Sequence, residues 1–174
     1  MNFRLIDVAN HNDTNVVATD YQRVTVASVT AMGELGSCLA RACLPGTTIY
    51  LCGELGAGKT TLVRGFLREL GYQGRVKSPT FTILESYQVA DKLIVHFDLY
   101  RFQTPTEWEG IGASDYFNGK SIGLIEWPEM AQGMLPPSDL CCDFSFTDKL
   151  DERVVMIRAT SGLGEYLVGS LFIK

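Results

Sequence analysis

Eight consecutive residues constrain this chain more than any others: Gly53-Glu54-Leu55-Gly56-Ala57-Gly58-Lys59-Thr60. They satisfy the phosphate-loop pattern G-x-x-x-x-G-K-[ST] at every fixed position. The flanks supply the context that pattern needs. Thr47-Thr48-Ile49-Tyr50-Leu51 is β-branched and apolar and reads as a buried strand. Thr61 to Leu70 reads as a helix, with Gly71 as its stop.

The chemistry follows from that order of elements. Glycines at 53, 56 and 58 let the backbone curl so that successive N–H groups point inward, an anion nest at the positive end of a helix. In such a loop Lys59 reaches the β- and γ-phosphates and the Thr60 hydroxyl ligates Mg²⁺. The competing explanation is a glycine-rich turn with an incidental Lys-Thr. A four-position match arises by chance in about one chain in 100 of this length, and the flanking strand and helix lower that further.

The 174 residues suit one domain with a full core, a single P-loop unit with residues 1–27 as a variable lead-in. A hydrophobic content of 46% with 20% charged residues describes a soluble globular protein. The net charge of −5 argues against nucleic-acid binding through a broad electrostatic patch, though not against a small local one. The five cysteines, Cys38, Cys43, Cys52, Cys141 and Cys142, are odd in number and show no C-x-x-C spacing. They read as reduced thiols in a reducing cytoplasm. His11 and His96 are too few and too scattered to suggest a metal. No apolar run approaches ~18 residues and the N-terminus does not resemble a signal peptide, so no membrane association is expected.

Along the chain, residues 1–22 are mixed and polar, with room for one edge strand. Val24 to Ala27 suggests a short strand. Ser28 suits an N-cap for a helix to about Cys43, with Met32, Leu35, Leu39 and Cys43 on one face. A polar loop runs from Gly71 to Thr80. Phe81–Gln88 and Leu93–Asp98 read as strands joined by a turn at Ala90-Asp91-Lys92. Thr104-Pro105-Thr106-Glu107 reads as a capped helix start that Gly110 and Gly112 break, and Ser114 opens another short helix. Ser121–Glu126 is an apolar run ending in an acid. Leu140–Phe146 and Arg153–Ala159 read as strands, and Glu165–Phe172 as a closing helix.

Turnover needs more than a phosphate loop. A carboxylate must hold Mg²⁺, and something must place the attacking water. In open α/β sheets such a group sits at the carboxyl end of a strand beside the loop. Asp98 and Glu126 both end apolar runs, and local pattern does not rank them. Ser78-Pro79-Thr80-Phe81-Thr82 lies where many P-loop hydrolases place a hydroxyl that senses the γ-phosphate, and it reads equally well as a plain turn. Arg64 and Arg68 read as surface charges. Trp127 suits either the core or a cover over a nucleotide.

Four motifs in order now resemble one family. Gly53 to Thr61, Val76-Lys77-Ser78-Pro79-Thr80, His96-Phe97-Asp98-Leu99-Tyr100-Arg101 and Glu126-Trp127-Pro128 are similar to those of TsaE, the bacterial ATPase of tRNA threonylcarbamoyladenosine synthesis. The likeness runs in one register from about Gly36 to Pro137. It implies a three-layer α/β P-loop fold around a mixed, mainly parallel sheet. It implies Mg²⁺-dependent ATP hydrolysis in the cytoplasm with TsaD and TsaB, which transfer threonylcarbamoyl to an adenosine beside the anticodon, so that tRNA is met only indirectly. It further implies that Lys59 binds phosphates within a loop cradle from Glu54 to Thr61, and that Thr60 and Glu126 hold Mg²⁺. Asp98 would lie near the γ-phosphate or its water, Thr80 in a switch loop and Trp127 beside the nucleotide. The family often carries a threonine near the start of the first helix, close to the base; Met32 stands there, with Val29 and Thr30 nearby.

Three rivals weigh against this. A small-molecule kinase usually closes an arginine-rich lid, but between Arg101 and Arg153 the only basic residues are Lys120 and Lys149. A GTPase would show an Asn-Lys-x-Asp stretch, and none is present. A nucleotide-dependent interaction module with negligible turnover differs from the ATPase only in rate. The missing arginine also predicts slow hydrolysis alone and stimulation by partners.

Overall fold

Alternating apolar residues build the sheet, and their parity decides what each face carries. The computed structural model describes residues 3–5 and 21–171. Among them, eight strands form one sheet in the order β1-β2-β8-β7-β3-β6-β5-β4. These are β1 (Phe3–Leu5), β2 (Tyr21–Val26), β3 (Thr48–Cys52), β4 (Leu84–Val89), β5 (Lys92–Asp98), β6 (Ser121–Glu126), β7 (Leu140–Phe146) and β8 (Arg153–Ala159). The four central strands, β7, β3, β6 and β5, run parallel. The flanks are antiparallel. The mixed sheet is therefore as expected, with its parallel character confined to the centre.

Helices α1 (Val29–Ala42), α2 (Lys59–Glu69) and α4 (Gly162–Ser170) lie over one face. Ile49 and Leu51 of β3, Ile122 and Leu124 of β6 and Ile94 of β5 turn toward them and join one apolar core. The opposite face carries Val95, Phe97 and Ile125 under the short helix α3 (Glu107–Gly110), with Trp108 and Phe117 packed around Phe97. No helix among the described residues is long and apolar enough to cross a membrane.

Several boundaries differ from those the sequence suggests, each for a local reason. Helix α2 begins at Lys59, two residues early, because Gly58 in left-handed backbone (φ 109°) can precede it directly. Strand β4 begins three residues after Phe81, because Ile83 is left-handed (φ 66°) and Phe81 stays exposed. Glu107 does close a box, accepting from the Gln103 and Thr104 N–H groups at 2.7 and 2.9 Å, but only one helical turn follows. Helix α4 begins at Gly162, since Ser161 caps it by accepting from Gly164 N–H at 3.1 Å. Strands β1 and β2 draw part of the lead-in into the sheet; most of residues 1–20, and Phe172, lie outside the described residues.

Helix α1 presses on α2 at glycines. A Cβ on Gly65 would lie 2.0 Å from the Gly33 carbonyl oxygen, and one on Gly36 would lie 2.1 Å from that of Leu62. The backbones touch there, and Ser37 Oγ donates across the contact to the Gly65 carbonyl at 3.3 Å. We expect Gly65→Ala to lower stability in urea unfolding by about 3 kcal/mol. A Cβ on Gly33 meets only Gly65 Cα at 4.0 Å, so Gly33→Ala should be neutral or stabilising by up to ~1 kcal/mol through helix propensity.

Candidate nucleotide-binding site

Strand β3 ends at Cys52, and the chain reverses through residues 53–58 into α2. Gly53, Gly56 and Gly58 all hold positive φ, at 140°, 79° and 109°. Crowding adds to that demand. A Cβ on Gly53 would sit 2.6 Å from the Phe144 carbonyl oxygen, and one on Gly58 would sit 3.0 Å from Met32 Cε. Strand β7 and helix α1 therefore close on the loop from behind. No side chain caps the start of α2, so its first N–H groups are left for an anion.

Lys59 is 96% removed from solvent, at 4% exposure. Its Nζ donates to the carbonyls of Gly53 at 2.5 Å and Glu54 at 2.9 Å, and lies 4.0 Å from the centre of the Trp127 ring. Burial lowers its pKa, while the charges of Glu126 and Asp98 act in the opposite sense. The ammonium thus lies folded across the loop, on weak neutral acceptors that phosphate oxygens would outcompete.

Parity brings the two acids to this place. His96 and Asp98 on β5, and Glu126 on β6, occupy the positions that alternate toward α2. The ladder sets Asp98 beside Glu126, and Glu126 beside Leu51 of β3. Both acids are buried, yet their partners differ. Thr60 Oγ1 donates to Glu126 Oε1 at 2.8 Å, and His96 Nε2 lies 2.8 Å from the same oxygen. Because a carboxylate only accepts, that ring nitrogen carries the proton. Asp98 Oδ2 instead accepts from Ser78 Oγ at 2.8 Å and Thr80 Oγ1 at 2.6 Å, and its Oδ1 accepts from Tyr100 N–H at 3.1 Å.

Local pattern left the two acids unranked and the family resemblance favoured Glu126; the loop threonine meets Glu126 and not Asp98. Residues Leu55 to Thr61 line one cleft with Thr80, Asp98, Glu126 and Trp127. Glu54 stands outside the cleft and contributes its carbonyl to Lys59. Trp127 holds a left-handed backbone (φ 59°), which turns its indole over Lys59 and against Tyr100, with ring centres 5.0 Å apart.

Three residues here have places in the site that the sequence reading does not assign. His96 is fully buried behind Glu126; its signal was the two-residue spacing to Asp98 on an alternating strand. Arg64 lines the cleft and donates from Nε to the Val76 carbonyl at 3.1 Å; its signal was the four-residue spacing from Thr60 along a helix. Tyr100 lines the same cleft; its signal was its place in the His96–Arg101 motif. Arg68 is a surface charge as expected, bonded to the Tyr72 carbonyl at 2.7 Å. A second hollow continues from the loop toward the start of α1, between Val29, Met32, Asp151 and Arg153.

Residues 26–155 match the family described as "Threonylcarbamoyl adenosine biosynthesis protein TsaE". The tRNA threonylcarbamoyladenosine biosynthesis protein TsaE of Haemophilus influenzae is 49% identical over 122 residues, which cover 70% of this chain and 76% of that protein. The protein of the same name from Bacillus subtilis is 36% identical over 120 residues, 69% of this chain and 73% of its own. The crystal structure of YdiB from Bacillus subtilis superposes with a TM-score of 0.75 at 28% identity, covering 87% of this chain and 93% of the other.

The tryptophans offer a direct probe of the cleft. Trp127 lines it, whereas Trp108 is buried under the opposite face. Adding a nucleoside triphosphate should change the tryptophan emission of the wild-type protein, and Trp127→Phe should abolish that change while Trp108 still emits. An unchanged response in Trp127→Phe would remove Trp127 from the site.

Proposed function

Because the chain belongs to the TsaE family and works in tRNA threonylcarbamoyladenosine biosynthesis, we propose that it is the ATP-hydrolysing subunit of threonylcarbamoyl transfer, acting with TsaD and TsaB. Residues 1–174 act as one P-loop ATPase unit, and tRNA is met only through those partners.

The observation that carries this reading is the contact between Thr60 and Glu126. A hydroxyl and a carboxylate oxygen stand 2.8 Å apart at the start of α2. They are hard oxygen donors of the kind Mg²⁺ prefers. When bound, Mg²⁺ neutralises phosphate charge and holds the phosphate oxygens in one orientation. Lys59 exchanges the carbonyls of Gly53 and Glu54 for the β- and γ-phosphates. The free N–H groups of the loop and of the first turn of α2 bind the remaining oxygens, with Glu54 contributing only its carbonyl to Lys59. His96 orients Glu126 from behind, and Trp127 shields the site from water. The nucleoside lies in the hollow between Met32 and Arg153, where Met32 gives an apolar wall to the base.

Asp98 accepts a proton from, or orients, the attacking water. Its link to Ser78 and Thr80 makes the following loop responsive to the γ-phosphate. A phosphate oxygen that draws Thr80 away from Asp98 loosens the latch on residues 78–82, which is how a partner would read the nucleotide state. Arg64 stands at the rim with its Nε engaged by Val76, so charge on the γ-phosphate is only partly met in cis. Turnover by the protein alone is therefore slow, and an arginine or other cation supplied by TsaD–TsaB would raise it by ~10³.

The test is ATP hydrolysis by the purified protein with and without TsaD–TsaB, beside a GTP control. We expect a low basal rate, strong stimulation and a preference for ATP; a full rate alone, unchanged by the partners, would contradict this. Lys59→Ala should weaken ATP binding at least about tenfold in calorimetry. Glu126→Ala should lower Mg²⁺-dependent hydrolysis about 100-fold while ATP binding changes little. In a Mg²⁺ titration of the rate, His96→Phe should raise the Mg²⁺ requirement by roughly tenfold, because a residue that orients a metal ligand acts through affinity.

A further inference from the structure

Behind the phosphate loop, on the sheet face opposite α2, two thiols meet. Tyr50 and Cys52 alternate with Ile49 and Leu51 along β3 and so turn away from the loop helix. The parallel register places Tyr50 beside Cys141 of β7 and Cys52 beside Asp143. The Cys52 and Cys141 sulfurs lie 3.5 Å apart. Asp143 Oδ1 is 3.8 Å from Cys141 Sγ, and one donor atom from each of Cys52, Cys141 and Asp143 falls within 4.8 Å of the others. Arg158 of β8 holds Asp143 Oδ2 through Nε at 3.1 Å and Nη2 at 2.9 Å, which leaves Oδ1 turned to the sulfurs.

The geometry points to a binding site for one thiophilic divalent cation of the Zn²⁺ class, with Cys52, Cys141 and Asp143 as its protein ligands and water in a fourth position. Two sulfurs at about 2.3 Å from a tetrahedral ion stand about 3.8 Å from each other, close to the 3.5 Å found here. A disulfide would need them at about 2.05 Å. Two thiolates and a carboxylate suit a borderline-soft ion better than Mg²⁺ or Ca²⁺. The charges also balance: three negative ligands face a divalent ion and the Arg158 guanidinium. Arg158 acts as an outer partner that fixes the ligating carboxylate.

Binding forms two metal–sulfur bonds and releases both thiol protons to solvent, with no change of oxidation state. Among the described residues, no other group of three such donors comes together. The ion would tie the end of β3 to β7 one residue before Gly53. It lies across the sheet from the magnesium ligands proposed above and does not rest on that reading.

The test uses the reduced, metal-free full chain titrated with Co²⁺. We expect a thiolate-to-cobalt charge-transfer band that saturates at one equivalent and is bleached by Zn²⁺; oxygen-only sites give no such band. Cys52→Ser should abolish the band, and Asp143→Asn, altered at a partly exposed side chain, should weaken Zn²⁺ binding about tenfold. A thermal melt confirms that each variant is folded. Absence of the band, its survival in either Cys52→Ser or Cys141→Ser, or a Cys52–Cys141 disulfide formed in air by a protein that takes up no metal when reduced would each overturn the assignment.

Discussion

A single carboxylate oxygen, Glu126 Oε1, organises the candidate site. It accepts from the hydroxyl that opens α2 and from an imidazole on the neighbouring strand. A buried carboxylate without partners would cost several kcal/mol, so Thr60 and His96 hold Glu126 in one place as much as Glu126 holds them. That place is set by three parallel strands. Strand β6 lies between β3 and β5, and the ladder puts Glu126 level with Asp98 at the end of β5 and with Leu51, next to last in β3. The loop, the two acids and the helix dipole meet there because the sheet ends there.

The rest of the fold keeps this junction rigid. Helix α1 rests on α2 through backbone contact at Gly33, Gly36 and Gly65, and Met32 of α1 touches Gly58 of the loop. On the other face, aromatic packing around Phe97 holds the end of β5, next to Asp98, in place. Against that rigidity stands the Ser78–Thr82 loop, latched to Asp98 by two hydroxyls and carrying the exposed Phe81 at its tip. A rigidly held carboxylate beside a latched loop is the arrangement that the proposed nucleotide-binding, state-reporting site needs. If the thiol pair behind β3 takes a metal, it braces the same junction from below.

Much of this was legible in the residues. The glycine loop announced itself because its chemistry needs fixed residues at fixed spacing, and the strands β3, β5, β6, β7 and β8 announced themselves by apolar runs. Less legible was everything that depends on parity and register. Asp98 and Glu126 look alike in sequence, and the difference between them is which one Thr60 reaches. His96 reads as a lone histidine until β5 is laid beside β6. Arg64 reads as a surface charge and is exposed, but its place at the cleft rim shows only once the loop at Val76 folds against it. Cys52 and Cys141 are 89 residues apart, and nothing short of the β3–β7 register joins them. Element boundaries shifted where left-handed residues decide, as at Gly58 before α2 and Ile83 before β4.

The account turns on which acid holds the metal. The most direct measurement is the anomalous scattering of Mn²⁺ in crystals grown with Mn²⁺ and a non-hydrolysable ATP analogue. The account predicts one peak within coordination distance of Thr60 Oγ1 and on the Glu126 side of the cleft, with Lys59 Nζ moved from the carbonyls of Gly53 and Glu54 to the phosphates. A peak ligated by Asp98 in place of Glu126, with Lys59 still on the loop carbonyls, would contradict it.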